Sequence, residues 1–594
     1  MKTDFLPVNN DEMKKNGWKK ADVIIVTCDE YVDHPYYEIA RVGRVLVSSG
    51  MRTVIISNPG KDEDFKKFGK PELFFLLITG KEDSMTMNYS AFKKFRSSDP
   101  FQKDGERSNR PDRAIITITS KLKSLYKDCK VVLAGAEASG RRITHYDFWG
   151  DQIRKPVLFD SKADLLIFDK LELNVQRTAN HMKSDLGFES LYGQPGISYI
   201  SKDKPVGYEE LPSYDECREN KETFISMYRT FLANIHPGSN GLFQKVLDRY
   251  IVINKNHLPY DNDQLKIIFN QSYRNKPHFG INGEIPFFEK VLSNGLFTQI
   301  GDLSGNTYIH EGRDISQRGI GALVMDSDRT RKSKYFKSVL KNPGYGKGDQ
   351  YALDIRKPYK CNSCVRYTCL ETAGKDFCSN LSVNVPRFTK AMDDISDFKG
   401  IRQVYFDNTF DYRILNQSDD LLKDILKKRT GTTFTLYCGS FSDIVRKAND
   451  LPPSEPLKKF VTKFKKKCGE FSVNKTLKIV LTSGMPGETL DTVLDTLQFV
   501  IENNLIVAEV RPFVPLPLSL SSIVYNTERN IYSGEELIVI KNVDERKLLD
   551  KIFGFQKPGN RKELLSYFSK KELKKHYELV KSYDVTQNKK VSGR

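Results

Sequence analysis

Residues 131–168 read VVLAGAEASGRRITHYDFWGDQIRKPVLFDSKADLLIF, and this stretch decides how the rest of the chain is interpreted. Val131 to Leu133 have the character of a buried strand, and Ala134, Gly135 and Ala136 then allow close backbone approach. Polar and aromatic groups follow in quick succession: Glu137, Arg141, Arg142, His145, Tyr146, Asp147 and Trp149. A segment of this kind at the C-terminal end of a strand has the composition of a site, although an ion-paired surface loop would have it too. Glu137, His145 and Asp147 are the candidates for acid and base work. No nucleophile or third partner is evident beside them.

Upstream, Asp22 to Thr27 (DVIIVT) form a β-branched strand, and Tyr31 to Gly50 carry apolar residues at helical spacing through Ile39, Val42, Val45 and Leu46. Met51 to Ser57, Leu73 to Ile78 and Asp164 to Phe168 add further strands. A βαβ opening of this type predicts an α/β fold with an open parallel sheet, whose ligands sit beyond the C-terminal strand ends. The pattern GxEASxRRxxHYDxWxDxxRxxxLxDSKADLL, together with FLPVNNDEM and ADVIIVTCDEYVDHP near the N-terminus, resembles the YgiQ family of the radical SAM superfamily. The resemblance implies a Rossmann-like first domain, similar to cobalamin-binding domains, followed by a radical SAM barrel of TIM type. No DxHxxG ligand motif accompanies it, so cobalamin is not inferred.

The chain has 594 residues, 39% hydrophobic and 11% aromatic, which is ample for several cores. It lacks a run of about 18 apolar residues, so no membrane span is expected. The N-terminus has no apolar signal region, and a cytoplasmic location is expected. Ninety-four Lys and Arg against 76 Asp and Glu give +18, which favours an acidic partner. The densest basic run is PLKKFVTKFKKK at 456–467, a helix with Leu457, Phe460, Val461 and Phe464 on one face. Lys463, Lys465, Lys466 and Lys467 on the other face are the candidate contacts to an acidic assembly.

Residues 285–319, IPFFEKVLSNGLFTQIGDLSGNTYIHEGRDISQRG, fall where the resemblance places CxxxCxxC, the three thiolates of a [4Fe-4S] cluster. Aligning His310, Glu311, Gly312 and Arg313 with the family puts Thr298, Asp302 and Gly305 at those positions. None is a cysteine, and no cysteine lies between Cys217 and Cys361. The expectation is therefore no [4Fe-4S] cluster at the radical SAM position.

Farther on, Cys361, Cys364, Cys369 and Cys378 have the spacing C-x2-C-x4-C-x8-C, which suits one tetrahedral ion, zinc ahead of a cluster, in a structural role. Packed reduced thiols are the alternative. Strand and helix patterns resume from 401, and SGMPGETLDTV followed by RPFVPLP resembles a late part of radical SAM barrels. The expected organisation is an N-terminal arm (1–20), a Rossmann-like domain (21–195), a helical connector (196–280), a degenerate radical SAM barrel (281–530) with a Cys-rich insert (344–380), and a basic helical region (531–594). The function expected is that of a pseudoenzyme, a binding or structural component of an assembly such as a ribosome, through its RNA, or a protein lattice such as a microtubule. The alternative is an enzyme that still binds S-adenosylmethionine or another small ligand without the cluster.

Overall fold

The computed structural model describes residues 3–305, 315–341, 349–406 and 410–583. Strands β1 (Val23–Thr27), β2 (Thr53–Ser57), β3 (Phe74–Leu77), β4 (Val131–Leu133) and β5 (Leu165–Ile167) form the parallel part of a nine-stranded sheet. The sheet does not stop at residue 195. β6 (Ile197–Ser201), β7 (Glu209–Leu211), β8 (Leu242–Val246) and β9 (Arg249–Ile253) extend it, in the order β7-β8-β9-β6-β5-β4-β3-β1-β2. The segment read as a helical connector thus supplies four strands as well as helix α1 (Lys221–Ala233). Its Pro-punctuated helical periodicity gave no sign of strands that alternate only briefly.

The parallel strands are buried on both faces, as continuous apolar runs require. Ile24 and Val26 of β1 point into one core with Phe224, Tyr228 and Phe231 of α1, while Val23 and Ile25 point into the other with Ile39, Val42 and Leu46. Those last three lie on the helix Glu38–Ser48, the predicted element trimmed at both ends.

The second half is built from parallel arcs. Asn294–Leu296 pairs with β10 (Val339–Lys341), and β10 with β11 (Gln403–Tyr405); β12 (Thr433–Gly439), β13 (Thr476–Ser483) and β14 (Ile506–Pro512) form the other arc. Among the described residues no ladder joins the two arcs. Helices α2 (Ser454–Glu470), α3 (Leu490–Glu502) and α4 (Val543–Phe553) pack on them, and Leu457, Phe460, Val461 and Phe464 are buried as their spacing predicts. A short antiparallel stem, Leu353–Ile355 with Leu381–Val383, carries the Cys-rich insert. Contacts from Tyr228 Oη to the Leu518 carbonyl (3.0 Å) and from Arg546 Nη1 to the Ala91 carbonyl (3.1 Å) tie the two halves together. No helix among the described residues is long and apolar enough to cross a membrane.

Candidate functional site

The C-terminal ends of β1, β3 and β4 lie side by side, where an open parallel sheet presents ligands. Gly135, just after β4, has φ +84, and a Cβ there would stand 2.9 Å from Ile78 Cγ2, so only glycine lets these two strand ends approach. Glu137 then turns inward and accepts from Thr79 Oγ1 (2.7 Å), Ser84 Oγ (2.9 Å), Ser84 N (3.2 Å) and Ile115 N (3.3 Å). Burial raises its pKa, with the Asp83 charge adding to the effect. Asp83 in turn pairs with Arg141.

His145 and Asp147 sit two residues apart on one strand of the hairpin His145–Asp147/Gln152–Arg154. Burial lowers His145 to about 4, so the imidazole is neutral at pH 7; its Nδ1 faces the Ile143 carbonyl at 3.0 Å. Asp147 accepts Arg113 Nη2 at 2.5 Å and has a lowered pKa, burial being outweighed by Arg113. The three sequence candidates therefore share a buried polar layer around Arg141, but their hydrogen bonds run to other partners and not to one another.

A neighbouring ion cluster was invisible in the sequence. Asp29 after β1 accepts Arg110 Nη2 at 2.6 Å and the Lys81 amide at 2.7 Å; Arg110 also meets Asp99 at 3.2 Å. Burial pushes Asp29 up to about 7 against the pull of Arg110. Lys81 pairs with Glu38 at 2.6 Å. The ligand edge is thus crossed by the chain's own loop, residues 80–112, and its charges are matched internally.

In the second half, Thr298 and Asp302 are buried. Thr298 Oγ1 donates to Asp349 Oδ2 at 2.6 Å, and Asp302 accepts Ser304 Oγ and Gln350 Nε2, each at 2.6 Å. Gln350 also receives the Leu303 amide at 2.9 Å. Gly305 has φ +83, and a Cβ there would lie 2.8 Å from Tyr367 Cδ2 and 2.9 Å from Thr368 Cβ. A cysteine side chain has no room at 305 without displacing the insert, and the oxygens at 298 and 302 are hard donors already used in hydrogen bonds. These residues do not fit a [4Fe-4S] cluster, which requires thiolates. His310, Glu311, Gly312 and Arg313, used for the alignment, lie outside the described residues.

Within the insert, Cys369 and Cys378 are in side-chain hydrogen-bond contact. That contact, with the Asn380 and Leu381 amides also directed at the sulfur, lowers Cys378 to about 5 against the effect of burial. Asn380 Nδ2 lies 3.5 Å from Cys361 Sγ, and the Cys364 amide donates to the Cys361 carbonyl at 3.2 Å. No three Cys, His, Asp or Glu side chains among the described residues are gathered as a group that could hold a metal ion.

Comparison with known proteins adds to this geometry. Residues 5–293 match the family model Radical SAM N-terminal. A UPF0313 protein of Methanocella arvoryzae is 27% identical over 98% of this chain and 96% of its own length, and one of Fusobacterium nucleatum is 28% identical over 94% and 100%. The chain is thus similar to UPF0313 proteins over nearly its whole length and to the Radical SAM N-terminal family over its first half. Among solved structures, the cobalamin-dependent S-adenosylmethionine radical enzyme OxsB superposes with a TM-score of 0.44 at 12% identity, covering 87% of this chain and 57% of that protein.

Proposed function

We propose that this chain is a member of the UPF0313, or YgiQ, family of radical SAM proteins that is retired from radical chemistry and acts as a binding or structural component of an acidic assembly. The observation that carries the reading is the state of residues 298–305: a hydroxyl, a carboxylate and a glycine stand where the family resemblance implies three thiolates, and all three are engaged with Asp349, Gln350 and the insert. The rival reading, an enzyme built on Glu137, His145 and Asp147, lacks support from the geometry, because Glu137 accepts four hydrogen bonds and Asp147 is held by Arg113. The partner is inferred from the +18 charge, whose long-range field steers a protein toward acidic surfaces.

Incubation of anaerobically reconstituted protein with S-adenosylmethionine and a strong reductant tests the first half. No 5′-deoxyadenosine is expected; turnover of the cofactor would return the chain to the enzymes. Pull-down from native extract over a salt series, with and without ribonuclease, tests the second half. Recovery that falls with salt is expected, and recovery indifferent to salt removes charge as the basis of assembly.

A further inference from the structure

We infer that the Cys-rich insert is an internal plug: the segment Tyr367–Cys369 is seated on the loop 298–305 and closes it off from any outside ligand. The inference rests on the proposed retirement of that loop and adds what has taken its place. Contacts on both sides of the loop carry it. The Cys369 amide donates to the Leu303 carbonyl at 2.8 Å, and Thr368 Oγ1 donates to the same oxygen at 3.0 Å. Gly305 packs so closely on Tyr367 and Thr368 that no side chain could stand between them. On the other side of the loop, Gln350 takes the Leu303 amide and gives to Asp302. Leu303 is thereby bonded through both its amide and its carbonyl, to groups distant in sequence.

The same insert reaches the first lobe. The Gly238 amide donates to the Asn362 carbonyl at 2.6 Å, the His236 ring approaches that oxygen at 3.2 Å, and Tyr367 is buried with the core that includes Tyr228 and Phe231. Arg413 of the second lobe holds the Glu371 carbonyl at 2.7 Å. The insert is therefore fixed at several points along its length, to both lobes, and Tyr367–Cys369 lies between those fixings. An appendage that merely folded on its stem would need none of these contacts.

Hydrogen exchange on the full chain tests the seating in both directions. In Tyr367→Ala/Thr368→Val, peptides covering 299–305 should exchange about tenfold faster, while β1 to β5 stay unchanged. In Gly305→Ala, peptides covering 361–378 should speed up by a similar factor, because the added methyl pushes on Tyr367 and Thr368. Circular dichroism separates these local openings from general unfolding, and a variant that unfolds is replaced by Thr368→Val alone, which removes one hydrogen bond to Leu303. Unchanged exchange of 299–305 in a folded insert variant overturns the plug and leaves the retirement standing. Formation of 5′-deoxyadenosine by the wild type overturns the retirement, while the exchange result still reports the seating.

Discussion

Lys467 and Asp419 meet at 2.9 Å across two helices of the second lobe, and Lys463 shares the same carboxylate at 2.6 Å. Lys465 Nζ is also occupied, by the Asn503 carbonyl at 2.6 Å. Much of the lysine face of α2 therefore serves the fold of its own chain. Lys459 and Lys466 are the more available charges, their side chains 75% exposed in ion pairs one turn away. Lys467 also meets Glu470 at 2.9 Å, so replacing Lys463 and Lys467 together by Glu would set both new acids against Asp419 and one of them against Glu470. The thermal midpoint should fall by a few degrees, and Asp419→Lys should recover part of the loss. Lys459→Glu/Lys466→Glu should keep the wild-type midpoint and weaken salt-dependent recovery from extract. If that pair of changes leaves recovery untouched, the helix is not the contact.

Glu488, in the turn after β13, is buried and its pKa is pushed up to about 8 by burial, although Gly484 N donates to Oε2 at 2.5 Å. The folded value lies above the unfolded value of about 4.3, so its contribution is fully present below pH about 4, declines as pH rises and is gone above 8. Glu488→Gln keeps an acceptor for Gly484 and removes the titration. Urea midpoints from pH 5 to 9 should show the variant gaining on wild type as pH rises and levelling off above 8. Parallel curves for the two proteins would mean that Glu488 titrates normally.

What the sequence reveals of this fold is local. The run DVIIVT and the spacing of Ile39, Val42 and Leu46 specify a strand and a helix because burial of each follows a period of the chain itself. The alternation that marks β6 to β9 is short and interrupted by turns, so the sheet's second edge passed for a connector. The site is less legible still. Asp29 and Arg110 are 81 positions apart, and Thr368 reaches Leu303 across 65. No spacing rule encodes a partner that comes from another loop. Glu137 and His145 were conspicuous as polar residues after a strand, yet whether such groups do chemistry or fill hydrogen bonds depends on Thr79, Ser84 and Ile115, which carry no signal of their own.

The spacing of the insert's four cysteines suits one structural zinc, but no three Cys, His, Asp or Glu side chains among the described residues are gathered as a group that could hold a metal ion, so ligation would have to draw the sulfurs together. Zinc favours soft sulfur donors, and its ligation contributes folding energy where no preformed site exists. Protein purified under reducing conditions should carry about one zinc per chain. Cys364→Ser and Cys378→Ser should each lower that content to near none and loosen the insert toward proteases. Elemental analysis that finds neither zinc nor iron in the wild type would leave the four as packed reduced thiols.

Arg110 is the residue on which the closed ligand edge of the first lobe depends. Its side chain is fully buried and lies between two carboxylates, Asp29 at 2.6 Å and Asp99 at 3.2 Å. Removing one partner of a buried pair leaves an unmatched charge and costs roughly 3–5 kcal/mol, more than the pair is worth relative to an apolar replacement. Arg110→Met keeps the length of the side chain and most of its packing, so the loss should come from Asp29 and Asp99. The sign with pH follows from Asp29, whose pKa already stands at about 7. Below that value the carboxyl takes a proton and its burial becomes tolerable, whereas above it the charge has only the Lys81 amide to meet it. Denaturation at pH 5.5 and pH 8.5 should therefore show the larger deficit at the higher pH, and Asp29→Asn in the same background should remove much of that difference. A deficit equal at both pH values would mean that packing, and not the stranded carboxylate, sets the cost.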